Sequence, residues 1–224
     1  MLVGTDPRWQ AREEKRRADE SLRTGRPAEA LPGYEAALPL FREAGDRHGE
    51  ADCLQKIGRA ALDARKRDEA EARLEEALSL HRALGDEAGA AADLAHLGQA
   101  RHRGQRYLEA LDLFEESIPA FRRTGERLGE ALALRFEGNL FRDCYGAEAA
   151  IACYHLAHRI LRDLADPAAS ALESILHNVR IRLGEEEWAR LERDTLPDAE
   201  AIRLEGVRLL REAEVVEGEG PVWS

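Results

Sequence analysis

Little in this chain can build a β-sheet: Val and Ile are scarce, and aromatic residues make up only 5% of its 224 positions, so the side chains that favour strands are in short supply. The three cysteines, Cys53, Cys144 and Cys153, form no CxxC pair and no even-numbered set. That excludes a disulfide scaffold or a thiolate zinc site and reads as buried thiols in a reducing compartment. No run of about 18 apolar residues occurs, and the N-terminus, MLVGTDPRWQAREEKRR, lacks the apolar core of a secretory leader. The expectation is a cytoplasmic protein with no membrane contact. Positive charge is also in deficit: 33 Lys and Arg stand against 44 Asp and Glu, for a net −11 and a pI near 5.2. A surface given over wholly to nucleic acid or to anionic lipid is excluded on that ground. A Gly-rich phosphate loop, G-x-S-x-G and H-E-x-x-H are all missing, and the many carboxylates lie in helix-surface arrays such as Glu75-Glu76 and Glu115-Glu116. No enzyme, cofactor or metal site is expected.

What is present is helix-forming material, dominated by Ala, Leu, Glu and Arg, arranged in a repeat. The stretch from Gly45 to Leu84 reads as two helices joined by a short basic turn, and its pattern returns from Gly85 and from Gly125, a period of forty. Gly45, Gly85 and Gly125 stand where a finished helix needs a left-handed residue. The acids that follow, Asp46, Asp86 and Glu126, suit the orphan N–H groups of the next helix. Asp6-Pro7 and Asp166-Pro167 place a cap before a proline suited to a first helical turn. Inside each unit a small residue (Ala18, Gly58, Gly98, Gly138) is followed twelve positions later by Ala30, Ala70, Ala110 or Ala150. Four further on comes Tyr34, Leu74, Phe114 or Tyr154, and three beyond that Ala37, Ala77, Ser117 or Ala157. Small residues facing large ones give interlocking faces between antiparallel helices.

This register resembles the tetratricopeptide repeat (TPR), in a version with forty-residue units. The resemblance implies an all-α, right-handed superhelical solenoid of antiparallel helix pairs, with repeats at 5–44, 45–84, 85–124 and 125–164. Beyond these, 165–216 reads as a degenerate fifth repeat plus a capping helix at about 198–215, and 217–224 as a disordered tail. The fit is imperfect: Glu137 stands where Ile57 and Leu97 occur in units two and three, and Arg190 stands where alanine is expected.

The resemblance also implies a concave groove lined by the first helix of each unit. Carried onto this sequence, its partner-binding positions are Lys15, Arg16, Gln55, Lys56, Arg59, His96, Gln99, His102, Arg103, Arg135, Asn139 and Arg142. With Arg12, Asp19, Arg23, Asp52, Asp63 and Asp143 at equivalent positions, the groove holds nine cations and four carboxylates. It is thus basic in a protein of net −11, and a field of that sign attracts an acidic ligand. The other reading of these arginines is ordinary pairing with carboxylates of adjacent helices. Arg135 and Asn139, one turn apart, suit a carboxylate and a peptide amide, but Asp19 replaces the asparagine that a complete carboxylate clamp needs beside Lys15. His155, His158 and Cys153 lie close in sequence, yet His158 aligns with Leu38, Leu78 and Ile118, so a core histidine is expected in preference to a metal ligand.

The leading expectation is a non-catalytic module that binds an acidic peptide or extended protein segment. The alternatives are a bacterial regulatory sensor acting on a separate kinase, protease or transcription factor, and a self-associating scaffold.

Overall fold

A computed structural model describes residues 6–24, 26–195 and 197–213. The expected start at Thr5 and the tail at 217–224 lie outside the described residues. Among the described residues there are eleven helices and no strand: α1 Pro7–Arg23, α2 Pro27–Glu43, α3 Arg47–Asp63, α4 Arg67–Leu84, α5 Glu87–Arg103, α6 Tyr107–Thr124, α7 Arg127–Cys144, α8 Ala147–Asp163, α9 Ala168–Leu183, α10 Glu185–Thr195 and α11 Ala199–Glu212. This is the all-helical, TPR-like fold of consecutive helix pairs. The chain divides into two compact units, Met1–Ala100 and Arg101–Ser224.

Six turns are made by the same device. One of the first two residues after the helix adopts a left-handed conformation, and the N–H that follows it bonds back five residues: Asp46 to Phe41, Lys66 to Ala61, Asp86 to His81, Arg106 to Arg101, Glu126 to Phe121 and Asp166 to Leu161. This is the Schellman motif, which satisfies carbonyls left open at a helix end. Gly45, Gly85 and Gly125 enter the left-handed region without penalty, at φ of 66°, 71° and 75°. Arg65, Gln105 and Ala165 adopt it with a side chain, at 60°, 62° and 52°.

The expected caps divide. Asp46 accepts from Gly49 N at 3.1 Å and Asp86 from Gly89 N at 2.8 Å. Glu126 makes no side-chain cap bond; its longer side chain lacks the short reach of aspartate to the second or third N–H. At Asp166-Pro167 the carboxylate caps Ala168 N at 2.8 Å, so helix α9 begins one residue after the proline.

The small-and-large register is the core. Ala18, Ala30, Ala70, Ala110 and Ala150 are buried, as are Tyr34, Leu74, Phe114 and Tyr154. A methyl built on Gly58 would stand 2.7 Å from Leu74 Cγ, and one on Gly138 would stand 2.7 Å from Tyr154 Cε1. The helices therefore approach within a distance only glycine permits.

In the second unit, α9 packs on α8 and α10 on α9 and α8, while α11 returns to lie on α8 and α6. Gly206 allows that return: a Cβ there would meet Ala149 Cβ at 2.5 Å. Electrostatic ties hold α11: Arg122 of α6 binds Glu200 at 2.9 Å, and two of α11's own arginines reach back. Arg211 binds Asp112 at 2.6 Å and also Glu115, and Arg203 binds Glu137 at 2.9 and 3.0 Å in the interior. The apolar position that Glu137 takes is thus an ion-pair anchor for a distant helix.

Candidate functional site

In the first unit, α1 and α3 position Lys15, Arg16, Gln55, Lys56 and Arg59, and α5 positions His96 and Gln99. Lys15 Nζ sits 3.2 Å from Asp19 and 3.3 Å from Asp52. Burial opposes its charge, but the two carboxylates outweigh that and raise its pKa. Arg16 makes a two-pronged bond to Glu13, at 2.9 and 2.8 Å. Gln55 donates to Asp93 at 2.8 Å and to the Gly89 carbonyl at 3.3 Å. His96 was expected in the groove; it is buried, with Nδ1 2.7 Å from the Ala92 carbonyl. Packing within its repeat has withdrawn the ring from a partner's reach. Gln99 is half-buried.

Lys56 and Arg59 differ from these. Among the described residues neither forms an ion pair. Burial and the neighbouring Arg59 charge push the Lys56 pKa down, against the opposing pull of Asp19 and Asp52, so two like charges stand together with no carboxylate in direct contact.

In the second unit, His102 Nε2 lies 3.1 Å from Asp143, which Arg142 also holds at 2.8 Å. Asn139 Oδ1 accepts from the Tyr154 hydroxyl at 2.9 Å and from Arg142 at 3.4 Å. Side chains expected from sequence, His102, Asn139 and Arg142, are thereby joined through Asp143 and Tyr154. Arg103 is exposed. Arg135 lies over the Phe136 ring at 5.1 Å, a cation–π contact. It has no ion pair among the described residues, and burial lowers its pKa. Of the wider set, Arg12 pairs with Asp46 and Arg23 with Glu20. Much of the excess positive charge counted in the sequence is therefore neutralised internally, and what survives is concentrated at Lys56, Arg59 and Arg135.

One polar centre escaped the sequence reading. His81 of α4 is 2% exposed and its Nδ1 is 2.6 Å from Asp93, while Nε2 faces Asp52 at 3.9 Å and Asp86 at 3.8 Å. Burial opposes its charge, yet the carboxylates of Asp52 and Asp93, the latter accepting from Nδ1, raise its pKa to about 9. Burial pushes Asp93 upward against His81 and Gln55. The pair is assigned as imidazolium and carboxylate, because two further carboxylates face the ring and Gln55 donates to Asp93. A signal existed: His81 occupies the position of Phe41 and Phe121, and Asp93 that of Cys53 and Ala133. Two ionisable groups at recurring core positions of adjacent helices must find one another.

Cys53 and Cys153 are buried, as expected; Cys144 is only half-buried. Burial pushes the Cys53 and Cys144 thiols up to about 12, which leaves them unreactive at neutral pH. His158 departs from the expected core role. It is half-buried and bonded to the exposed Glu173 at 3.1 Å, because α9 presents a carboxylate rather than an apolar face to that turn of α8. Among the described residues no His, Cys, Asp and Glu cluster has metal-binding geometry, and no helix is long and apolar enough to cross a membrane.

Comparison with known proteins gives one likeness, over part of the chain. Residues 19–83 match the model described as tetratricopeptide repeat. No curated protein matches the chain. The matched stretch contains the interlock of Gly58 with Leu74 and the burial of Ala30, Tyr34, Ala70 and Ala77, and the same register recurs through Ala157. Residues 19–83 are thus similar to the tetratricopeptide repeat, and the all-helical fold of consecutive helix pairs agrees with that likeness.

Proposed function

We propose that the protein is a non-catalytic module that captures an acidic peptide or extended segment of another protein, through cations presented by the first helices of its repeats. The observation that supports this is the state of Lys56, Arg59 and Arg135. The other basic residues of these faces are largely committed to Asp and Glu, whereas these three have no ion pair among the described residues. Lys56 and Arg135 are half-buried as well. A cation held partly out of water with no carboxylate in direct contact is costly, and a carboxylate supplied by a partner relieves that cost. Asn139 adds an amide N–H pair beside Arg135, suited to a main-chain carbonyl. Rigid helices carry all these groups, so little ordering cost falls on the protein when a flexible segment binds. Lys56 and Arg59 belong to the first helix of the repeat at 45–84, and Arg135 to the first helix of the repeat at 125–164.

The test is capture from a native extract with the intact chain as bait, alongside Arg59→Glu and Arg135→Glu variants. Each reversal is expected to reduce recovery of the partner at least tenfold and to flatten its salt dependence, with helicity unchanged by circular dichroism. Undiminished capture by both variants would remove these residues from the interface and sink the reading.

A further inference from the structure

The face of α8 turned toward the start of α11 carries basic side chains that the partner-binding faces do not use. His155, His158, Arg159 and Arg162 fall at helical spacing, and with Leu156 and Ala199 they line a cavity of about 190 Å³. Four of its six lining side chains carry N–H donors, and none is a carboxylate. A neighbouring cavity makes the contrast. Of about 260 Å³, it holds Arg122, Arg127 and Arg159, but Glu130 and Glu200 bind Arg122 at 2.7 and 2.9 Å and Glu130 binds Arg127 at 2.7 Å. That cavity is neutralised from within.

In the first cavity the compensation is weak. Arg162 meets its sequence neighbour Asp163 only at 3.7 Å, and His158 meets the exposed Glu173. Arg159 forms no ion pair among the described residues. His155 packs beside Trp188, ring centroids 6.1 Å apart, and its Nε2 is buried with no hydrogen-bond partner. A buried polar atom without a partner is rare and calls for a ligand or a water. At Ala199 the cavity also reaches the first turn of α11, whose cap residue Asp198 makes no side-chain bond to it. A helix presents N–H groups and the positive end of its dipole at its first turn, where α11 also carries Glu200.

Size and donor number decide the ligand class. The cavity is smaller than the ~300 Å³ at which drug-sized sites begin. Its two guanidinium forks, beside the first turn of a helix, offer more donors than the two oxygens of a carboxylate can engage, and they suit a group with three terminal oxygens. We propose that this cavity of the second unit binds a phosphate monoester, with Arg159 and Arg162 taking its charge. The inference stands apart from the partner-binding faces, because none of the residues is shared.

The intact ¹⁵N-labelled protein is titrated with phosphoserine, inorganic phosphate and acetate at constant ionic strength, and amide shifts are followed. Saturable shifts confined to residues 155–162 and 199–201 are expected with both phosphates, and at least tenfold weaker binding with acetate. Tighter binding of phosphoserine than of inorganic phosphate identifies a phosphorylated side chain as the source, and equal binding identifies a free phosphate. Arg159→Gln combined with Arg162→Gln is expected to weaken both phosphates at least tenfold without loss of helicity, whereas Lys56→Gln with Arg59→Gln leaves them unchanged. No saturable shift, equal response to acetate, or full binding by the Arg159/Arg162 variant overturns the proposal.

Discussion

A histidine at a position where its repeat counterparts are phenylalanines must be solvated by the protein, and His81 is. It packs against Gly89 as Phe41 packs against Gly49 and Phe121 against Gly129, so it keeps the shape of the core while adding a charge. The Asp93 carboxylate is itself 0% exposed. Removing the imidazole would strand that carboxylate, and breaking a buried pair from one side costs about 3–5 kcal/mol. His81→Gln is therefore expected to lower unfolding free energy by roughly that amount near pH 6, read from urea melts. The sign of the pH dependence follows from the raised folded pKa. The imidazolium contributes fully below its unfolded value of about 6.5, and its contribution is lost as pH rises through about 9. The gap between wild type and His81→Gln should accordingly shrink between pH 6.5 and pH 9. A gap that stays constant across that window would mean His81 is neutral in the folded protein.

At the scale of the element, the turn motif separates what glycine contributes from what the hydrogen bonds contribute. Six turns share the same bonds, yet only some have glycine at the left-handed position. A Cβ there costs roughly 1–2 kcal/mol, so Ala165→Gly should stabilise the chain by about 1 kcal/mol, and Gly85→Ala should destabilise it by a similar amount. Thermal melts of the two variants, moving in opposite directions, check this. The turns were legible before any coordinates because each depends on residues within one helix end. Glu126 was misread as a cap because its alignment with Asp46 and Asp86 conceals one extra methylene.

For the whole molecule the unexpected feature is the route of α11. Its anchor, Arg203 with Glu137, lies wholly inside the second unit, with Glu137 0% exposed. Arg203→Met should cost about 3–5 kcal/mol by leaving Glu137 alone. Adding Glu137→Leu, which restores the repeat's apolar residue, should recover most of that loss, since well-packed apolar replacements of buried ion pairs are often neutral or better. Denaturant titrations of the two singles and the double provide the cycle. A double mutant no better than Arg203→Met would show that α11 is held by something other than this pair.

The sequence by itself determined the helices, their turns and the recurring core, because a forty-residue period, a left-handed glycine and a small-against-large register are local facts with one packing solution. It also located Lys56, Arg59 and Arg135 as members of a basic set. Only the tertiary structure decided which cations stay unpaired, that His96 is buried, that His81 gathers three carboxylates, and that Arg203 reaches Glu137. Those outcomes depend on which side chains meet across 34, 41 or 66 residues of chain. Charge neutralisation is a property of distance in space, and a count along the chain carries no distances.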